Sequence, residues 1–253
     1  TQSLLPRSDG LWIGSVGGVY RYKGQDHRFH ALPAGLEKAV VTSLVDAQGR
    51  LWAGTTQGLY VLDQGAWTAA SASPELQDAP TTMLLEDHDH NLWVASNAGI
   101  ARFNRGALSE LVANSSPNGF RSVISAFEDR EGNLWLGSQV NGLTRLWNGW
   151  TERYSTPQGL TEPLVWSVAR SPDGAIWVGT NNGLSVLRDG HFRTVLTGTD
   201  LPHPHAYNLL ADDDRIWVGA RRGLVLYRNG KVERPALFEP MAVAAAGGGA
   251  GVG

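Results

Sequence analysis

The chain has 253 residues, 42% of them apolar and only 18% charged against a usual share of about 25%, with 31 glycines and no cysteine. Lys and Arg number 21 against 24 Asp and Glu, a net charge of −3, so there is no basic footprint for a nucleic-acid backbone or an anionic membrane surface. Disulfides, thiolate metal sites and a cysteine nucleophile are excluded together, no run reaches the roughly 18 continuous apolar residues of a membrane helix, and a start at Thr1 in place of Met points to a processed or excised chain.

From the N-terminus onward one motif is written six times. Leu11-Trp12-Ile13-Gly14-Ser15 comes first, then Leu51-Trp52-Ala53-Gly54-Thr55 and Leu92-Trp93-Val94-Ala95-Ser96. Leu134-Trp135-Leu136-Gly137-Ser138, Ile176-Trp177-Val178-Gly179-Thr180 and Ile216-Trp217-Val218-Gly219-Ala220 follow, at tryptophan steps of 40, 41, 42, 42 and 40 residues. Each pentad leads to a glycine and an aliphatic residue (Gly18, Gly58, Gly99, Gly142, Gly183, Gly223), a short apolar run, and a turn glycine (Gly24, Gly65, Gly106, Gly149, Gly190, Gly230). In the second unit this predicts four strands near Val41 to Val45, Leu51 to Gly54, Gly58 to Leu62 and Ala66 to Ala70, joined by the turns that Gly, Asn and Asp favour. Nothing reads as helix.

A four-stranded antiparallel sheet repeated about every 40 residues predicts an all-β fold, a β-propeller, in which each blade is buried against its neighbours on both faces. The six pentad tryptophans are expected to fill space between blades, and the glycine beside each admits a close neighbour. A single domain over 1–253 then has repeats at about 3–40, 41–80, 81–121, 122–164, 165–206 and 207–236. Residues 237–253 take the place of a partial or degenerate seventh blade, or of a Gly/Ala linker, and only Val252 and Gly253 align with the pentad. An open ring would leave sheet faces in water, so closure by some route is expected, with seven blades preferred to six.

As a consensus the unit reads aliphatic-Ser-Leu, Asp-x-x-Gly-x-Leu-Trp-Val-Gly-Thr, a few polar residues, Gly-Leu, and a strand ending at Asn/Asp-Gly. The stretch Val41-Thr42-Ser43-Leu44-Val45-Asp46-Ala47-Gln48-Gly49-Arg50-Leu51-Trp52-Ala53-Gly54-Thr55 shows it almost entire. It resembles the two-component regulator propeller repeat over residues 3 to about 230. Departures are Ala95, Ala220, and Arg170-Ser171-Pro172-Asp173, where the acidic residue falls late. The resemblance implies the extracytoplasmic, periplasmic sensor region of a bacterial histidine kinase or diguanylate cyclase receptor. It further implies a propeller without catalytic residues or cofactor, which meets a small molecule or oligosaccharide and dimerises through the full-length receptor. No nucleic-acid partner and no membrane insertion of this piece are expected.

Loops entering each inner strand and loops between second and third strands are expected on one face, held rigid by the sheets. The first set offers Glu37, Lys38, Gln77, Asp78, Asn118, Phe120, Arg121, Glu162, Trp166, His203, His205 and Tyr207. The second offers Gln57, Asn97, Gln139, Asn141, Asn181, Asn182, Arg221 and Arg222. Amides, cations and flat rings suit a sugar or a carboxylate, so the candidate rim is Lys38, Arg121, Glu162, Trp166, Asn181, Asn182, His203, His205, Tyr207, Arg221 and Arg222. His203-Pro204-His205 holds two imidazoles without a recognisable third ligand, and no metal is assigned.

Asp87-His88-Asp89-His90-Asn91 has calcium-loop oxygens, yet Leu92 and Ala98 stand where the loop needs Gly and Glu, so a solvated hairpin turn is expected. The turn Asp212-Asp213-Asp214 takes the same expectation. Two alternatives share the fold: a protein-binding scaffold, and an enzyme similar to streptogramin lyase, a family expected to use Glu-x-His with a divalent metal. The only Glu-x-His, Glu86-Asp87-His88, is predicted at the hairpin end, on the face opposite the rim.

Overall fold

A computed structural model describes residues 3–70, 74–113, 120–147 and 150–235. They form six four-stranded antiparallel meanders. Blade one is β1 (Ser3–Arg7), β2 (Gly10–Gly14), β3 (Gly18–Lys23) and β4 (Asp26–Ala31). Blade two is β5 (Val41–Ala47), β6 (Arg50–Thr55), β7 (Gly58–Asp63) and β8 (Ala66–Ala69), close to its predicted strands. After a helical turn, α1 (Pro74–Gln77), blade three is β9 (Thr81–Glu86), β10 (Leu92–Ser96), β11 (Gly99–Asn104) and β12 (Ala107–Ala113). Blade four is β13 (Val123–Glu128), β14 (Leu134–Ser138), β15 (Gly142–Trp147) and β16 (Trp150–Tyr154). Blade five is β17 (Val165–Arg170), β18 (Ile176–Thr180), β19 (Gly183–Arg188) and β20 (His191–Thr197). Blade six is β21 (Ala206–Asp212), β22 (Arg215–Ala220), β23 (Gly223–Arg228) and β24 (Lys231–Glu233). The expected partial seventh blade, Asn118 and Gly149 lie outside the described residues.

The core is a series of five apolar clusters, each lying between consecutive blades. Trp12, Trp52, Trp135 and Trp177 are buried, each against the next blade in sequence, as their spacing predicts. Trp93 and Trp217 are only half-buried. α1, unforeseen because four residues carry no periodicity, inserts buried Leu76 into the Trp52 cluster.

The acidic residue of the repeat is explained by the indole. Trp12 Nε1 donates to Asp9 at 2.9 Å, Trp93 to Asp87 at 2.7 Å and Trp135 to Asp129 at 2.8 Å. In blade five Ser171 Oγ replaces the carboxylate at 2.9 Å from Trp177 Nε1, which accounts for the late Asp173. In blade two the acceptor is the Ala47 carbonyl at 3.1 Å, so Asp46 does not hold Trp52 and instead pairs with Arg7 across the blade boundary at 3.0 Å. The repeat serine is an inter-blade link: Leu44 N donates to Ser3 Oγ at 2.8 Å, and Leu84 N to Ser43 Oγ at 3.2 Å.

Candidate functional site

The second-to-third turns and the connections into the inner strands share one face, as expected. Thr56 N donates to the Val40 carbonyl, Asn97 N to Pro80, Gln139 N to Ser122 and Asn181 N to Leu164, at 3.0 to 3.1 Å. Just inside this rim the inner strands β5, β9, β13, β17 and β21 each carry a bulge whose unpaired residue is Thr42, Thr82, Ile124, Trp166 or Tyr207. A bulge leaves one residue out of the ladder and re-aims its side chain. Thr42 and Thr82 use that freedom to donate to the next inner strand, at Thr81 O (2.6 Å) and Val123 O (2.5 Å). Blades five and six instead place aromatic rings there.

Those rings build a cluster that gathers seven of the eleven candidate rim residues. Trp166 lies edge-to-face on Tyr207 with centroids 4.9 Å apart and near-parallel to His205 at 6.2 Å, while His203 meets His205 at 4.4 Å. Trp166 Nε1 donates to Asn181 Oδ1 at 3.3 Å, and Tyr207 Oη pairs with His205 Nδ1 at 2.8 Å. His203 is held below the ordinary histidine value by desolvation first, then by His205 and the guanidiniums of Arg221 and Arg222, all of which favour its neutral form. Its Nδ1 accepts the His205 backbone N–H at 3.3 Å, which leaves the proton of the neutral ring on Nε2 as a donor. Arg221 and Arg222 stand exposed on the β22–β23 turn. Two rings, a neutral imidazole donor and two cations thus share one arc of the rim.

The other candidates fall elsewhere. Glu162 and Asn182 stand on blade-five loops, Lys38 on the loop into blade two and Arg121 on the loop into blade four, the last two exposed. Phe120 is not a rim residue: it is buried with Met83, Val123 and Leu136 in the cluster between blades three and four. The bulge residues are the feature sequence reasoning missed, although the replacement of Thr42 and Thr82 by Trp166 and Tyr207 at one repeat position could have drawn attention to them.

At the hairpin end the Glu-x-His pair is taken apart. Glu86 Oε1 accepts Gln48 N at 2.9 Å and faces His90 at 3.2 Å, whereas His88 is paired with Glu128 of the next blade, which also accepts His88 N at 2.7 Å. Glu128 raises the His88 pKa, chiefly through that hydrogen bond and then by charge. The turn is not simply solvated: Asp87 is buried and accepts from Asn91 and Trp93. A cleft of about 550 Å³ opens here between blades three and four, but its polar lining is mutually engaged, with Arg102 on Glu110 at 3.3 Å beside the pairs just described. Among the described residues no group of three His, Cys, Asp or Glu side chains is placed to hold a metal ion.

Residues 159–182, from the connection into blade five to the turn after β18, match the family described as two component regulator propeller, so the chain carries this repeat. Among solved structures it is similar to the extracellular domain of the hybrid two component system BT3049 from B. thetaiotaomicron, at 20% identity over 89% of this chain and 32% of that one, TM-score 0.77. It is also similar to the extracellular domain of BT4673 from the same organism, at 22% identity over 80% and 28%, TM-score 0.68. The chain therefore spans about a third of the length of these two domains. Virginiamycin B lyase from Staphylococcus aureus is a further match of fold, at 14% identity over 92% and 83%, TM-score 0.70. No curated protein matches the chain. No helix among the described residues is long and apolar enough to cross a membrane.

Proposed function

We propose that this propeller of two-component regulator repeats is the ligand-sensing, non-enzymatic part of a bacterial signalling receptor, standing on the outer side of the membrane. Its site is the rim of blades five and six, and its ligand a small carboxylate or an acidic sugar. The observation that carries this is the grouping of Trp166 and Tyr207 with Arg221 and Arg222 about the neutral His203. Guanidinium forks match a carboxylate in two parallel hydrogen bonds, an indole face covers the apolar face of a sugar ring, and the Nε2–H of His203 supplies a donor without adding charge. The fold shared with extracellular domains of two component systems supports the sensor role. The separation of Glu86 from His88 argues against a lyase-type acid–base pair.

The test is a thermal-shift and calorimetric screen against uronic acids, their oligomers and small di- and tricarboxylates. A ligand at a hundred times its dissociation constant adds about 2.7 kcal/mol, or roughly 5–10 °C for a chain of this size. Binding that is lost in Arg221→Ala/Arg222→Ala and in Trp166→Ala supports the assignment. An acid that binds all three proteins equally, or no binding by any acid to the folded chain, refutes it.

A further inference from the structure

Of the pentad tryptophans that face a following blade among the described residues, Trp12, Trp52, Trp135 and Trp177 are 2% to 6% exposed. Trp93 is the exception and stays half-buried. The reason lies one blade on, at a single position of the repeat. Opposite an apolar residue of the third strand, the outer strand carries Trp67 against Leu62 in blade two, Leu108 against Phe103 in blade three and Phe192 against Leu187 in blade five. Each packs in the cluster that holds the tryptophan of the preceding blade, Trp12, Trp52 and Trp135 in turn. Blade four has the exposed Thr151 at this position, opposite Leu146, and Trp93 loses its cover.

The gap that results is the cleft of about 550 Å³ between blades three and four, within the roughly 300–1,000 Å³ of small-molecule sites. Its apolar surface is the indole of Trp93 with Ile100, Phe120, Leu134 and Leu146. The indole is fixed before anything binds, because Nε1 donates to Asp87 at 2.7 Å and Asp87 is itself held by Asn91. Charge in the described lining is paired internally: Arg102 lies 3.3 Å from Glu110, and His88 pairs with Glu128 and stands 3.3 Å from Asp89. Neither cation is left free to draw in an anion, and Asp87, Asp89, Glu110 and Glu128 outnumber Arg102 and His88. A cationic ligand fares no better, since the Arg102 guanidinium already stands over the Trp93 ring, 5.6 Å from its centre, where the electron-rich face would hold it. A wholly apolar ligand would take the polar lining out of water with no hydrogen bonds in exchange.

We propose that this cleft is a second binding site, for the ring of a neutral pyranoside stacked on Trp93 with its hydroxyls on the Arg102–Glu110 pair. A hydroxyl both donates and accepts, and the pair sets guanidinium donors beside carboxylate acceptors, so two neighbouring hydroxyls of one sugar satisfy both sides. The apolar face of the sugar covers the indole and expels water from it. Thr151 leaves open the space that an aromatic ring fills in blades two and five, and adds a hydroxyl to the wall. The site stands at the hairpin end between blades three and four, apart from the rim of blades five and six, and does not depend on it.

The probes are methyl β-glucopyranoside, methyl β-galactopyranoside, methyl α-mannopyranoside and cellobiose, with glucuronic acid and tetramethylammonium as charged controls. Nitrogen–proton correlation spectra follow the tryptophan Nε1–H signals, that of Trp93 being identified by its loss in Trp93→Phe, and calorimetry measures affinity. A neutral glycoside shifts the Trp93 signal saturably, and binds about tenfold more weakly to Arg102→Gln. Thr151→Phe puts at this position the residue that blade five has there, closes the cleft, raises the melting temperature and abolishes binding, whereas Arg221→Ala/Arg222→Ala leaves it unchanged. No saturable shift with any of these glycosides in the folded chain overturns the proposal. So does unaltered binding in Thr151→Phe, a stronger response to either charged control, or loss of binding in Arg221→Ala/Arg222→Ala, which moves the sugar to the rim. If Thr151→Phe does not fold, Arg102→Gln decides, and an unchanged affinity there overturns the site.

Discussion

Replacing Trp135 by Ala removes an indole that is 3% exposed, packed against Leu143, Leu160, Val165 and Ile176, and stacked on Tyr154 at 5.9 Å. Burial of this extent makes the loss about 3–5 kcal/mol for an aromatic-to-alanine change in a core. The upper half of that range is expected, because the Asp129 carboxylate also loses the Nε1 donor at 2.8 Å. At about 2–4 °C per kcal/mol the melting temperature falls by roughly 8–20 °C. Trp135→Phe separates the two contributions: it keeps most of the ring, drops the donor, and costs about 1.5–3 kcal/mol. Trp217→Ala is the internal comparison, since the same repeat residue on an uncovered face loses under about 2 kcal/mol. Urea unfolding followed by far-UV circular dichroism measures all three. A Trp135→Ala midpoint within about 1 kcal/mol of the parent, or equal losses at Trp135 and Trp217, would refute the account of inter-blade packing.

Four further outcomes are expected. Burial alone would raise the Asp129 pKa, but the hydrogen bonds from Trp135 and Asn133 outweigh it and hold the carboxyl below its ordinary value. Its contribution is therefore present above about pH 3.9 and lost as pH falls through the lower folded value, so Asp129→Asn flattens the acid limb of a melting-temperature profile. His88 runs the other way: its pKa is raised by Glu128, so the stabilisation is full below about pH 6.5 and fades as pH rises through the folded value, a slope that His88→Gln removes. Gly179→Ala sets a Cβ 2.5 Å from the Ala206 carbonyl oxygen and costs about 1–3 kcal/mol, whereas Gly219→Ala is neutral or slightly stabilising in this chain; equal effects at the two sites would count against the open face. Trp166→Ala changes the urea midpoint by no more than about 1 kcal/mol in free energy, because the ring is half-exposed.

The six blades were legible because the repeat states its own period. The pentad tryptophan, its glycine and the turn glycine recur at nearly fixed spacing, and a chain that writes one local preference six times leaves little room for another architecture. Positions that depend on a neighbouring blade were less legible. Asp46 looked like the repeat's acidic residue, yet it is Ala47 that occupies the position of Asp87 and Asp129, and a one-residue offset in a strand reverses the face a side chain meets. Phe120 sat in a loop by sequence and is core by structure, because a connection that dips between two blades leaves no periodic trace. The rim was legible as a face, since strand order alone decides which turns meet which connections, but not as a cluster. Trp166 and Tyr207 reach the mouth through a bulge, and a bulge shows only in pairing.

Comparison of the repeats with one another supplies what a single sequence otherwise lacks. A residue that recurs at one position in most units answers a demand of the blade: the tryptophan fills the gap to the next sheet, its acceptor holds the indole, and the serine ties neighbouring inner strands. A residue that departs from its counterparts is under no such demand, so the fold does not explain it. Thr42 and Thr82 give way to Trp166 and Tyr207, the turn residues Thr56-Gln57 and Asn181-Asn182 give way to Arg221-Arg222, and His203-Pro204-His205 has no counterpart in any other unit. Four of these departures scattered over six blades would be ordinary variation of exposed loops. Their meeting on one arc, with ring centroids 4.4 to 6.2 Å apart and the guanidiniums close enough to depress His203, is a juxtaposition that the repeat does not require. That excess over what the fold needs is the physical ground for placing recognition on blades five and six.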